Sequence, residues 1–358
     1  MKGVTVHRAA PTADPAGTTR PTIITVAQAA GVSRQTVSNV LRGQGRFSTE
    51  VAQRVHAAAE QLGYQPNVAA RQLRSKSSNA IGVRMDHDGE GLGNAVLDRF
   101  LHMLAIAARA EGLRLALYTT EPGEDETREM DEALTTLDLD GFVLHGTHHG
   151  DERAAWLTAR AVPFVAFGRP WGAGDPHQAP HSWVDVRGDT GSDAAVRHLA
   201  ELGHRRIAFV GWPTGSGIGD ERRKGWRRAL ADLDLPEGPI YQTEDGFDGG
   251  ATAYRALSAT ADPPTAYVCV SDSIGLGVLE AARLEHGTAS TPIAVVGCDD
   301  SAAARAVGMT SIRHPMRATA VQVMTLLKDR ITHPDHEPQH VLLDPRIVIR
   351  ASTTSTHR

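Results

Sequence analysis

From Ala80 onward, short apolar runs alternate with amphipathic stretches. "AIGVRM", "LRLALYT", "GFVLHG", "PFVAFG", "RIAFVG", "AYVCVSD" and "IAVVGCD" are separated by segments such as "VLDRFLHMLAIAARAEG" and "GSDAAVRHLAELG". A run with no polar face belongs in a strand covered on both sides, and strands joined by helices pair in parallel. The pattern predicts an α/β body over residues 80–358, built on parallel sheets. Seven such units are more than one small sheet requires. The expected division falls near residues 186–190 and gives two lobes, with a crevice at the carboxyl ends of their strands.

The residues before Ala80 follow a helical pattern instead. Three helices are expected: "IITVAQAA" with Thr22 as its N-cap, "RQTVSNVL" after a break at Gly31 and Ser33, and "TEVAQRVHAAAEQLG" started by Ser48 and stopped by Gly63. Val26, Ala27, Ala30, Val37, Val40, Leu41, Val51, Val55, Ala58 and Leu62 supply one small core, just adequate for about 45 residues. After "YQPN", the segment "VAARQLRSKSSN" has helix formers but few apolar residues, so alone it is barely ordered. The expected organisation is a flexible tail over 1–21, an all-α helix-turn-helix headpiece over 22–65, a linker over 66–79 and the body over 80–358.

Charge separates these parts. Residues 1–79 carry ten Lys and Arg against three Asp and Glu, and the remainder carries 27 against 39, in a chain of 358 residues with a formal net charge of -5. Positive charge on a small N-terminal module is the footprint of a polyanion partner, because each phosphate it neutralises releases counterions. Gly31 allows the tight turn of a helix-turn-helix, and Arg34, Gln35 and Asn39 lie on the exposed face of the second helix, where they can hydrogen-bond base edges. A solvated helical hairpin is the alternative. Cys269 and Cys298 each sit in an apolar run and read as core thiols, which fits a reducing cytoplasm. Residues 1–21 lack the apolar stretch of a secretory signal, and no run approaches the roughly 20 apolar residues of a membrane helix.

"TVAQAAGVSRQTVSNVLRG", followed by "STEVAQRVHAAAEQLGYQPNVAARQLRS", resembles the LacI/GalR family of bacterial transcription regulators. The resemblance continues through "IGV", "DGFVLHG", "PFVAFGRP", "HLAELGHRRIAFVG", "RRKGW", "SDSIGLGVLEAA", "VVGCDD" and "MTSIRHP" in the family's order. It implies a homodimeric, cytoplasmic repressor that reads a near-palindromic operator in double-stranded DNA. It also implies a periplasmic-binding-protein-like body for ligand binding and dimerisation, which holds a small-molecule effector of the carbohydrate class. No enzymatic activity, cofactor, metal or membrane partner is expected.

By motif position, Arg34 and Gln35 open the reading helix and discriminate bases, each worth about 1 to 3 kcal/mol if bidentate. Asn39 follows one turn on. Ser33, Thr36 and Ser38 are placed for phosphates, with Thr22 and Arg46 flanking. The segment 66–79 corresponds to the family's hinge helix, which folds on DNA and enters the minor groove. Ala70 and Leu73 occupy its wedge positions, with Asn67 and Arg71 near the phosphates. An ordinary linker leucine is the plain alternative for Leu73.

In the body the resemblance places Asp272, in "VSDSIG", and Arg222, in "ERRKGW", in the crevice, as acceptor and donor for a polyol. Asp272 reads equally as a helix cap. Asn94 matches a first-lobe asparagine, although "DHDGEGLG" before it is longer than the family pattern. Phe167 and Arg169 of "FGRP" face the crevice at a strand end, and Phe247 is either an aromatic for stacking on a sugar or a core residue. Two departures stand out. The insertion "WGAGDPHQAPHSW" at 171–183 is long, and the family's Asp-Asn pair appears as Arg187-Gly188.

Other chemistry is weakly signalled. "HGTHHGD" gathers His145, His148 and His149 beside Asp151, but not at a zinc helix's spacing. "GWPTGSGIGDERRKG" lacks the Lys-Ser/Thr pair of a phosphate loop and reads as a flexible crevice loop delivering Arg222, and no G-x-S-x-G is present. An α/β enzyme or carrier with a helical appendage would need a catalytic constellation that these residues do not supply.

Overall fold

The computed structural model describes residues 21–41, 45–64, 77–85, 95–120, 125–172, 174–286 and 293–354. Two compact units meet between Ser77 and Ser78.

In the first unit, α1 (Ile23–Ala30), α2 (Arg34–Leu41) and α3 (Thr49–Gln61) form where capping and periodicity place them. The Thr22 hydroxyl accepts from the Thr25 backbone N–H and Thr25 reciprocates, closing a capping box. Gly31, at φ +64°, ends α1 in the left-handed region, and the Val32 N–H returns to the Ala27 carbonyl at 3.1 Å. The Ser33 hydroxyl caps α2 by accepting from the Thr36 N–H at 3.0 Å, and Ser48 caps α3 through Val51. Val26, Val37 and Val55 are fully buried at the centre, with Ala27, Ala30, Val40 and Ala58 around them. Leu62, expected in this core, is 38% exposed at the C-cap of α3. Ala59, one turn earlier, is buried instead.

The second unit holds two six-stranded sheets. The first runs β11-β5-β4-β3-β1-β2, from β1 (Ala80–Met85), β2 (Arg114–Thr119), β3 (Gly141–Leu144), β4 (Phe164–Phe167), β5 (Trp183–Val186) and β11 (His340–Leu343), all parallel. The second runs β12-β10-β9-β8-β6-β7, from β6 (Ile207–Gly211), β7 (Ile240–Gln242), β8 (Ala266–Cys269), β9 (Ala294–Cys298), β10 (Thr310–Arg313) and β12 (Arg346–Val348). Its strands are parallel except β12, which pairs antiparallel with β10.

Helices cover both faces: α4 (Ala95–Ala110), α5 (Glu126–Thr136), α6 (Arg153–Ala159) and α12 (Met316–Thr332) on the first sheet; α7 (Gly188–Glu201), α8 (Ile218–Asp232), α9 (Phe247–Ser258), α10 (Asp272–His286) and the short α11 (Ala302–Ala306) with the second. Phe100 and Leu104 of α4 meet Val323 and Leu327 of α12 in one first-lobe core. Phe209, Trp226, Tyr254 and Tyr267 anchor the second lobe. Helices α7 and α8 cross so closely that a Cβ on Gly225 would lie 2.0 Å from the Asp189 carbonyl oxygen.

The chain passes between lobes three times, at Arg187, between Arg313 and Met316, and between Leu343 and Arg346. The first passage lies where the change of pattern put it. The other two return α12 and β11 to the first lobe and β12 to the second, so neither lobe is one continuous stretch.

Candidate functional site

On the headpiece, Arg34 and Gln35 are exposed in the first turn of α2, whose opposite face buries Val37 and Val40. Gln35 donates through Nε2 to Asn39 Oδ1 at 3.1 Å, an i,i+4 pair on one face. The hydroxyls of Ser33, Thr36 and Thr22 are engaged locally: Ser33 lies 2.9 Å from Thr36 and both hold the start of α2, while Thr22 closes its box with Thr25. Ser38 is half-buried and Arg46 exposed. The α2 N-terminus, with no acidic residue in its first turn, is the electropositive end of the helix. Asn67, Ala70, Arg71, Leu73 and Asn94 lie outside the described residues.

In the body, β8 ends at Cys269 and α10 begins three residues later, at Asp272. Ser271 supplies a hydroxyl to the Ile274 N–H at 3.2 Å, so the cap of α10 is Ser271. The cap reading of Asp272 is therefore set aside. Its carboxylate turns inward, where one oxygen accepts from the Ser301 N–H at 2.7 Å and the other from the Ser311 hydroxyl at 2.6 Å. Asp272 is 2% exposed, and burial, with the Asp299 charge adding, pushes its carboxyl up to about 7.

Arg222 comes from the second turn of α8; the expectation that a loop delivers it is corrected, because the loop ends at Gly217. Helical placement fixes its guanidinium: Nη1 donates to the Val270 carbonyl, and Nη2 lies 3.3 Å from His314 Nε2. The Trp212 ring lies 5.6 Å away. At Gly188, the second residue of the Arg187-Gly188 departure, a Cβ would crowd Arg222, standing 3.0 Å from its Cγ. The Gly188 N–H donates to Glu221 Oε2 at 3.2 Å.

Arg169 follows β4 and reaches across the lobes. Its Nε donates to Asp185 at 2.6 Å within the first lobe, and its Nη1 pairs with Glu221 of the second at 2.9 Å. Burial raises the Glu221 carboxyl above its usual range while Arg169 opposes that rise. Trp171, the first residue of the insertion, stacks 5.3 Å from this guanidinium and packs on Gly217, where a Cβ would come within 2.7 Å of the indole. The insertion thus carries an indole from one lobe onto the loop of the other.

Of the ten buried side-chain polar atoms without a hydrogen-bond partner among the described residues, five gather along this seam: Arg169 Nη2, Trp171 Nε1, Ser216 Oγ, Arg222 Nε and His314 Nδ1. Three are obligate donors, and such atoms are rare in a native interior unless water or a ligand meets them. Trp171, Ser216 and His314 were not singled out from the sequence. The insertion pointed at Trp171 and the Gly-rich crevice loop at Ser216.

The aromatics sort differently from expectation. Phe167 is half-buried with its ring centroid 4.3 Å from that of Phe100, on the first-lobe core, so its expected crevice-facing position is corrected. Phe247 opens α9 and is 42% exposed, which removes the core reading.

The histidine run does not converge on an ion. His145 Nε2 bonds the Arg84 carbonyl at 2.8 Å, His148 Nδ1 the His149 carbonyl at 3.0 Å, and both Asp151 oxygens are taken by Arg153. Cys298, Asp299 and His314 do lie together, with His314 Nε2 3.3 Å from Cys298 Sγ and 3.4 Å from Asp299. Burial pushes the thiol well up, and the Arg222 guanidinium already occupies the cation's place beside His314. Cys269 and Cys298 are free and buried.

Comparison with known proteins agrees with this architecture. Residues 22–67 match the family described as bacterial regulatory proteins, lacI family, and residues 196–353 match the periplasmic binding protein-like domain. The HTH-type transcriptional regulator CelR of Thermobifida fusca is 31% identical over 338 residues, covering 93% of this chain and 98% of the relative. A solved complex of the transcriptional regulator CelR with cellobiose is 29% identical, with a TM-score of 0.69 over 93% of this chain and all of that one (100%). The lac repressor dimer bound to operator and the anti-inducer ONPF shares the fold, with a TM-score of 0.73 over 93% of this chain and 99% of that one, at 23% identity. Such relatives are regulators of transcription and not enzymes. With a relative of this identity along nearly its whole length, a capped helix-turn-helix head and a two-lobed parallel body, the chain belongs to the lacI family of bacterial regulatory proteins and is a DNA-binding transcriptional regulator.

Proposed function

We propose that this regulator is a homodimeric cytoplasmic repressor whose affinity for a near-palindromic operator is set by a carbohydrate bound between the lobes. The observation that carries the effector reading is the set of five unpartnered buried polar atoms along the interlobe seam. A polyhydroxylated ligand has acceptors for the Arg169, Trp171 and Arg222 donors and hydroxyl protons for the free lone pairs of Asp272. The indoles of Trp171 and Trp212 beside the two guanidinia supply apolar faces for a sugar ring. Phe247, exposed at the start of α9, is a further stacking surface, and Asn94 a first-lobe contact. The cellobiose seen in the CelR complex is of this ligand class.

On DNA, Arg34 and Gln35 take base edges, with Asn39 beside them. Ser33, Thr36, Ser38, Thr22 and Arg46 meet phosphates, the capping hydroxyls through the helix ends that they hold. Ala70 and Leu73 of the 66–79 hinge helix wedge into the minor groove, flanked by Asn67 and Arg71.

The test is selection of binding sites by the full chain from a random duplex pool, followed by titration of the selected duplex with and without cellobiose and a panel of simple sugars. A palindromic consensus whose affinity falls steeply with salt and shifts with one sugar is the expected result. No consensus, or a consensus indifferent to every sugar in the panel, overturns the headpiece or effector half of the reading respectively.

A further inference from the structure

We propose that Asp329, His333 and His336 form a binding site for a first-row divalent metal ion of the Zn2+ class at the C-terminal end of α12. Neither the operator nor the effector reading uses these residues. Asp329 and His333 stand four residues apart at the end of the helix, hence on one face. The chain then turns, with the His336 N–H donating to the His333 carbonyl at 3.1 Å, and brings a second imidazole back onto the same carboxylate. Arg330 donates to the His336 carbonyl and fixes that turn.

The donor atoms converge. His333 Nδ1 lies 3.0 Å from Asp329 Oδ1, and His336 Nδ1 lies 3.1 and 3.0 Å from the two carboxylate oxygens. The two imidazole rings stack with centroids 4.5 Å apart at 13°. One donor from each residue falls within 4.8 Å of the others. Ligands of a tetrahedral zinc ion at about 2.0 to 2.1 Å stand about 3.4 Å from one another, so small outward shifts let an ion replace the shared protons. The His333 and His336 side chains are 57% and 56% exposed, which gives the ion an open path and leaves a coordination position for water. The Thr332 hydroxyl, 3.0 Å from His333 Nδ1, can rotate away. Two neutral imidazoles and a carboxylate are a donor set suited to Zn2+ and its neighbours. No guanidinium bonds an imidazole here, in contrast to the Cys298 cluster. A bound ion would staple the turn that feeds β11, the last strand before the chain returns to the second lobe.

The test is titration of the full chain with zinc chloride by calorimetry, repeated with Co2+ to read tetrahedral ligand-field bands. One ion per chain is expected in the parent and in His148→Ala/His149→Ala. In His333→Ala/His336→Ala, binding should weaken by more than about tenfold and the cobalt bands should vanish. A zinc-dependent rise in Tm should appear in the parent and not in that variant. No uptake by the parent, or equal uptake by parent and variant, overturns the site and leaves Asp329 as a simple hydrogen-bond acceptor for two surface histidines.

Discussion

Replacing Asp272 by Asn tests whether the crevice contains a buried carboxyl that resists ionisation. Asp272 is 2% exposed, and its carboxyl is pushed from 3.8 up to about 7 by burial and by Asp299. A shift of about three units corresponds to about 4 kcal/mol at 1.36 kcal/mol per unit. Between pH 4 and pH 7 the folded chain keeps a proton that the unfolded chain has released, so stability falls as pH rises through this window. Asparagine cannot ionise, yet it preserves the shape: its oxygen can accept from the Ser301 N–H, and its amide can donate to the Ser311 hydroxyl. His181 trends the other way, since burial depresses it to about 4 and stability is lost as pH falls from 6.5 toward that value. That contribution is common to both proteins and cancels in their difference. Urea unfolding followed by the fluorescence of the buried Trp183 and Trp226 should show Asp272→Asn gaining on the parent by about 3 kcal/mol between pH 5 and pH 8. A difference that stays constant within about 1 kcal/mol over that range would refute the buried-carboxyl argument.

Arg34→Ala and Gln35→Ala should each weaken operator binding by about 1 to 3 kcal/mol in fluorescence anisotropy, with Tm unchanged because both side chains are exposed. Equal losses on random duplex would assign them to phosphates instead. Leu73→Ala should weaken specific binding far more than nonspecific binding; equal losses on both DNAs would contradict the wedge role. Gly225→Ala forces a methyl to within 2.0 Å of the Asp189 carbonyl and should destabilise the body by about 3 kcal/mol in denaturant titration, whereas a Tm unmoved by the change would contradict the close crossing of α7 and α8.

The headpiece was legible almost to the residue, because capping and αL punctuation are local. Thr22, Gly31, Ser33 and Ser48 mark the helix ends by chemistry that needs no tertiary contact. The seven apolar runs of the body are all strands, six of them for a similar reason, since parallel strands covered on both faces must be continuously apolar, whereas β2 is a partly exposed edge strand. β7, β10, β11 and β12 were missed because they are short and lie at or near sheet edges, where a sequence such as "TSIR" or "RIV" carries no periodic signal. β5, "WVDV", begins at the last residue of the insertion, which masks its start. Site geometry was legible only by residue type. Nothing local told that Ser271 would take the cap and turn Asp272 inward, or that Phe167 would pack tilted against Phe100. The Asp329, His333 and His336 cluster was passed over because its third member returns through a turn outside helical spacing, while the denser His145–His149 run drew attention and is dispersed by Arg84, Arg153 and its own backbone.

The interlobe contacts also explain why occupancy of such a crevice can be felt elsewhere in the body. A ligand shifts an equilibrium only through contacts that differ between its states. Here the polar atoms awaiting a partner come from both lobes, Arg169 and Trp171 from one, Ser216 and Arg222 from the other. The lobes are joined by three chain passages at 186–188, 313–316 and 343–346. A ligand that satisfies both sets must fix the lobes at one separation and one twist about those passages. The Arg169–Glu221 pair bridges the two lobes, and its buried carboxyl makes it sensitive to any competing donor or acceptor. On the proposed reading, effector binding would act by exchanging this lobe-to-lobe ion pair for ligand-mediated contacts. A coupling of about 1 to 3 kcal/mol is within reach of one such exchange.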